Sequence, residues 1–183
     1  MDLLWPIAIA GGAVLALAIG RYNRLVYLRQ LTRNAWSDIS VHLNRRAELV
    51  PNIVETVKAY ARHEQGTFEA LAAARSKALS ATEPSARAQA ESALASGLER
   101  TLLLAESYPE LKASTNYLRL QEELTATEDA IANARKYYNA CVRDYNTALE
   151  TFPDSLLASL GGFRPASFFE PDSDVSQAPR VGG

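Results

Sequence analysis

Large apolar side chains recur every seven residues at Tyr117, Leu124, Ile131, Tyr138, Tyr145 and Phe152. That spacing puts them on one stripe of a helix, and no strand can use it. Leu120, Thr127, Ala134, Cys141 and Ala148 run beside the stripe at +3, and Gln121, Glu128, Arg135, Val142 and Leu149 at +4. So broad a face suits a helix in a multi-helix bundle better than a two-stranded coiled coil. Pro153 should end this helix, because proline lacks the amide that the next turn needs. Upstream, Leu25, Leu28, Ala35, Trp36, Ile39, Leu43, Ala47 and Val50 follow three- and four-residue steps. They predict a first bundle helix that Pro51 breaks or kinks. Ile53, Val57, Ala61, Phe68, Leu71, Ala74 and Ala78 predict a second helix, and Ala90, Leu94, Leu98, Leu102 and Ala105 a third. The third is entered through a Ser80-x-x-Glu83 capping pattern and Pro84, and closes near Tyr108-Pro109. Ser114 or Thr115 is the expected cap of the long helix.

Ahead of this one-sided pattern, residues 3–20 are apolar all round and uncharged. A helix of that length covers about 27 Å, close to the hydrocarbon core of a bilayer. A membrane span is favoured over a cleaved signal peptide, although Ala16-Leu17-Ala18 fits a cleavage site: the leading residues hold Asp2 and no Lys or Arg, and the arginines come after the span. Ala8, Gly12, Ala16 and Gly20 line one face of it at four-residue spacing, an arrangement that lets membrane helices pack closely. The predicted layout is an anchor at 1–20, a helical bundle at 21–153, a segment at 154–170 that docks on the bundle, and a disordered tail at 171–183. Docking of 154–170 is expected because it carries Phe163, Phe168 and Phe169, which would cost solubility if left in water. The tail is polar, with Pro and Gly.

Composition sharpens this picture in two places. Strand formers are sparse, so the fold class is all-α: an N-terminal transmembrane helix and then an up-and-down four-helix bundle with long helices. The net charge of −2 conceals an asymmetry. Residues 21–46 hold six arginines (21, 24, 29, 33, 45 and 46) against one acid, Asp38, and the remainder is acidic. Arginines just after a span hold that side in the cytoplasm and favour anionic lipid headgroups, so the N-terminus is expected outside and the bundle inside. The single cysteine, Cys141, has no partner for an internal disulfide and reads as a small core residue.

Recognisable catalytic chemistry is missing from the pattern. His42, His63 and Cys141 do not make a zinc set, no glycine-rich loop cradles phosphate, and no serine sits in a nucleophile elbow. No enzyme activity, cofactor or metal is expected, and the acidic domain argues against nucleic acid. The unusual feature is polarity on the apolar faces. Glu64 lies between Ala61 and Phe68, while Glu128 and Arg135 continue the +4 row of the long helix. Charges placed there must pair or sit at an edge. Two readings stay open, an interhelical salt bridge that fixes register and a recess for a partner's polar groups.

Several runs carry a resemblance. Ala35-Trp36-Ser37-Asp38-Ile39, Arg45-Arg46-Ala47-Glu48-Leu49-Val50-Pro51-Asn52-Ile53-Val54-Glu55-Thr56-Val57-Lys58, Tyr60-Ala61, His63-Glu64 and Ala74-Arg75 resemble the LemA family of bacterial membrane proteins. So do Tyr108-Pro109-Glu110-Leu111-Lys112, Thr127-Glu128, Ala134-Arg135, Tyr138-Asn139, Tyr145-Asn146, Phe152-Pro153 and Phe168-Phe169-Glu170. The resemblance implies a four-helix bundle behind an N-terminal span and no established enzyme activity. One member of that family is tied to shaping magnetosome membranes, and others are linked with a heat-shock type of membrane zinc metalloprotease. Neither association fixes the role of this chain; taken with the small-residue face of the span, the reading is a membrane-anchored scaffold or interaction module that self-associates in a bacterial inner membrane, with an adaptor for a membrane protease as the alternative. The resemblance also marks residues 45–64 as the functional segment, with Arg45, Arg46, Asn52, Glu55, Lys58, Tyr60, His63 and Glu64 as interaction residues. The bland alternative is that these form caps and salt bridges around Pro51.

Overall fold

The computed structural model describes residues 4–170, and the expectation of a disordered tail at 171–183 lies outside them. The described residues form six helices and no strand: α1 (Leu4–Lys58), α2 (Gln65–Ser80), α3 (Pro84–Ala105), α4 (Pro109–Lys112), α5 (Thr115–Glu150) and α6 (Asp154–Leu160). They divide into two compact units, each of which takes part of α1 and part of α5. One comprises residues 4–37 with Tyr137–Ser167, the other Asp38–Lys136 with 168–170.

The second unit is a helical bundle. Val50, Ile53 and Val57 of α1, Phe68 and Leu71 of α2, Leu94 and Leu98 of α3, and Tyr117, Leu120 and Leu124 of α5 pack into one core cluster. Adjacent helices alternate in direction, as the pairing of Ala47 with Arg75, and of Thr56 with Asn116 alongside Arg46 with Glu128, shows. Gly97 lies against Leu71, where an added Cβ would come within 3.1 Å of the leucine side chain, so α2 and α3 approach closely there.

Pro51 does not break α1, which continues seven residues beyond it to Lys58. A proline at this position removes the amide that would bond the carbonyl of Ala47 and presses its ring against that oxygen. The structure supplies a replacement: Arg75 Nε of α2 donates to the Ala47 carbonyl oxygen at 2.7 Å. The first turn of the bundle therefore falls at residues 59–64, with no proline or glycine, held by Tyr60 and Ala61 amides on the Val57 carbonyl and by the Glu64 amide on Ala61. The capping pattern is also corrected. Ser80 ends α2 with its hydroxyl on the Lys77 carbonyl, and Glu83 precedes α3 without a side-chain cap. Pro84 does open α3.

In the first unit, Leu25 of α1 packs with Tyr145, Ala148 and Leu149 of α5, Ala158 of α6 and Phe163. The stripe of α5 is buried from Tyr117 to Tyr145, but Phe152 lies beyond the helix and is 76% exposed. The helix stops at Glu150, ahead of Pro153, so the seven-residue rhythm outlives the structure that gave it meaning. The segment after Gly162, whose φ of +66° suits glycine, returns along α5. Asn146 donates to the Ala166 carbonyl and accepts from the Ala166 amide, each at 2.9 Å, and the Tyr138 hydroxyl donates to the Ser167 carbonyl at 2.7 Å. Phe163 and Phe169 are buried and Phe168 is partly exposed. Asp154, at the start of α6, is buried and held by Arg24 at 2.7 Å and Arg21 at 3.6 Å. Ahead of all this, α1 contains a stretch long and apolar enough to cross a membrane. Trp5, Ile7, Ile9, Val14, Leu15, Leu17 and Ile19 on it are exposed.

Candidate functional site

Charged side chains meet inside the bundle unit at Arg46. Ile39, Leu43, Val50 and Ile53 share its face of α1 at helical spacing, so the guanidinium is carried inward and is only 4% exposed. Its Nη2 donates to Glu91 of α3 at 2.5 Å, and its Nη1 donates to both carboxylate oxygens of Glu128 on α5, at 2.8 and 3.0 Å. Arg87 donates from Nε to Glu91 at 2.6 Å and from Nη2 to Asn44 at 3.1 Å. Burial works against the Arg46 charge. Hydrogen bonds and attraction from Glu128 and then Glu91 outweigh it and hold the group above its ordinary pKa. Two carboxylates bridging three helices fix their register, since an unpaired charge here would be severely penalised. Arg135 lines a recess of about 210 Å³ beside Glu91 and Glu128 and is half-buried. Glu128 pairs as one sequence reading proposed, while its own side chain is 43% exposed.

The remaining residues singled out in 45–64 do not gather at this cluster. Arg45, Asn52, Glu55, Lys58, Tyr60, His63 and Glu64 are exposed. Asn52, Glu55 and Tyr60 line a polar groove of about 540 Å³ with Thr56, Asn116 and Arg119. Asn116 donates to the Thr56 hydroxyl at 3.2 Å, and Arg119 Nη2 donates to Asn116 at 3.1 Å. Gly12 and Gly20 have open space where a side chain would stand, and Ala8 and Ala16 are likewise exposed. Sequence reasoning missed Arg87 and Glu91, whose signal was their place on the Leu94 and Leu98 face of α3. Among the described residues, no group of three or more His, Cys, Asp or Glu side chains could hold a metal ion.

An all-helical bundle whose first helix begins with an exposed apolar stretch, and whose densest charge cluster is consumed in bridging helices, defines a class of helical protein with a candidate membrane anchor. Comparison with known proteins gives the family. The model of the LemA family matches residues 35–182, and the chain belongs to that family. Among its relatives are magnetosome protein MamQ 2 of Paramagnetospirillum magneticum, 26% identical over 86% of this chain and 68% of the relative, and magnetosome protein MamQ of Magnetospirillum gryphiswaldense, 23% identical over 81% and 64%. Protein LemA of Metamycoplasma hominis is 27% identical over 73% of this chain and 62% of its own length.

Proposed function

We propose that the protein is a non-enzymatic, membrane-anchored scaffold whose helical bundle stands in the cytoplasm and self-associates. One observation carries this reading: the helix that exposes an apolar face at residues 5–20 is the same helix that packs, from Leu25 onward, against α5. An anchor continuous with a packed helix ties the unit that Leu25 and α5 build directly to the membrane. Arg21, Arg24 and Arg33 follow the span directly and are exposed, which favours the cytoplasmic side and contact with anionic lipid. Arg21 and Arg24 also hold Asp154, so the lipid-facing charge and the docking of α6 share residues. Relatives named as magnetosome proteins support a role in an organised cellular structure, and the names of the relatives denote no reaction. Carbonate extraction of bacterial membranes should leave the chain in the pellet, and protease added to intact spheroplasts should spare residues beyond 20. Release by carbonate would remove the anchor, and digestion in intact spheroplasts would reverse the orientation.

A second reading, an adaptor for a membrane protease, is favoured by the polar groove at Asn52, Glu55 and Tyr60, which is exposed and gathers residues of the segment singled out by sequence. An adaptor binds one partner at fixed stoichiometry. Sizing in native nanodiscs separates the two, since a scaffold forms homo-oligomers without a protease present.

A further inference from the structure

The seam between α3 and α5 in the bundle unit is incompletely closed. Two depressions of about 600 and 320 Å³ lie along it and share Leu102 and Leu124. On the α3 side their lining runs from Ala95 to Glu106, about 16 Å or three helical turns. The floor is leucine: Leu98, Leu102 and Leu124 lie deepest, while Leu103 at 62% exposure and Leu118 at 45% stand at the lip. No lining residue is basic. Glu106 is engaged by Lys112, and Glu128 by Arg46. The side chains of Glu99, Glu122 and Asp129 are exposed, and their carboxylates make no hydrogen bond or ion pair with any described residue.

We infer that this groove is a docking site for an amphipathic helix of another protein, with an apolar stripe that covers the leucines and Lys or Arg residues flanking it that meet Glu99, Glu122 and Asp129. A groove three turns long with leucines at its floor matches the length over which a helix presents residues at i, i+4 and i+7 or i+8, and helix-in-groove binding reads such anchors. The acidic rim sets the sign of the partner. An acidic helix would meet three unpaired carboxylates, whereas a basic one neutralises them and gains in encounter rate.

The test uses the full chain in nanodiscs of uncharged lipid, with protein-free nanodiscs as baseline. The probe is a fluorescent helical peptide bearing leucines at i, i+4 and i+7 with lysines on both flanks and one photo-crosslinking side chain. The control peptide replaces the lysines with glutamates. The lysine-flanked peptide should bind more tightly than the control by about tenfold or more, weaken with salt, and crosslink to α3 and α5. Leu103→Ala with Leu118→Ala, both at exposed positions, should weaken it about tenfold. Glu99→Lys with Glu122→Lys should weaken it similarly and shift preference toward the glutamate-flanked peptide. Equal binding of the two peptides, unchanged affinity in either double variant, or crosslinks outside α3 and α5 would overturn the proposal. Crosslinks joining the grooves of two copies in place of the peptide would assign the face to self-association and overturn it as well.

Discussion

Arg75→Ala should destabilise the bundle for a reason located on another helix. Pro51 leaves the Ala47 carbonyl without its i+4 amide, Ala47 is fully buried, and Arg75 Nε is the donor that replaces the amide at 2.7 Å. Removing a partner from a buried carbonyl costs about 1–3 kcal/mol, with a charged donor toward the upper part of that range. For a chain of this size that corresponds to a fall in melting temperature of about 2–4 °C per kcal/mol. The decisive experiment is a double-mutant cycle. Pro51→Ala returns an amide to the Ala47 carbonyl and relieves the ring contact, so it should be neutral or stabilising on its own. In that background Arg75→Ala should cost less, by about 1 kcal/mol or more. Urea unfolding of the full chain in mild detergent, followed by helical circular dichroism, measures all four corners. If Arg75→Ala costs the same with and without Pro51, the arginine stabilises through packing alone and the account of how α1 passes its proline is wrong.

The charge cluster gives a graded series: Arg46→Ala should lose about 3–5 kcal/mol because Glu91 is left buried beside Arg87 alone, and Glu128→Gln should lose less because its side chain is partly solvated, both read by urea unfolding. On the α5 stripe, Ile131→Ala should lose about 2–5 kcal/mol while exposed Lys136→Ala changes little, and equal losses in thermal melts would contradict the register. Burial pushes the Cys141 thiol and the Tyr117 and Tyr145 hydroxyls up from their ordinary pKa values. These groups favour the protonated form in the fold. Their contribution is therefore intact below the unfolded thiol value of about 8.5 and is lost as pH rises through the raised folded values. Urea midpoints should decline in alkali accordingly, and iodoacetamide should label native Cys141 far more slowly than unfolded chain.

What the sequence made legible was periodic. The α5 stripe from Tyr117 to Tyr145, the helical apolar start of α1 and the burial of Phe163 and Phe169 each rest on local spacing or composition, whereas Phe152, beyond the end of α5, and Phe168 are exposed. The misreadings came from distant partners. Locally, Pro51 reads as a break or a kink, and the donor that meets the Ala47 carbonyl as α1 continues, Arg75, comes from the next helix. The turn at 59–64 carries neither glycine nor proline, so nothing local announced it. Arg45 and Arg46 are neighbours with opposite fates, because Arg46 falls in register with Leu43 and Val50 while Arg45 points to solvent. That register was present in the sequence, and so was the placement of Glu91 on the Leu94 face. A charge on an apolar stripe is the signal that identifies such a cluster in advance.

Self-association of the anchored chain tests the proposed scaffold most directly. Full-length protein in native nanodiscs, sized by mass photometry at membrane-like densities, is compared with Gly12→Leu combined with Ala16→Leu, changes at positions open to a neighbouring helix. The account predicts assemblies of several chains that shrink in the variant. A wild-type chain that remains monomeric at those densities would contradict it.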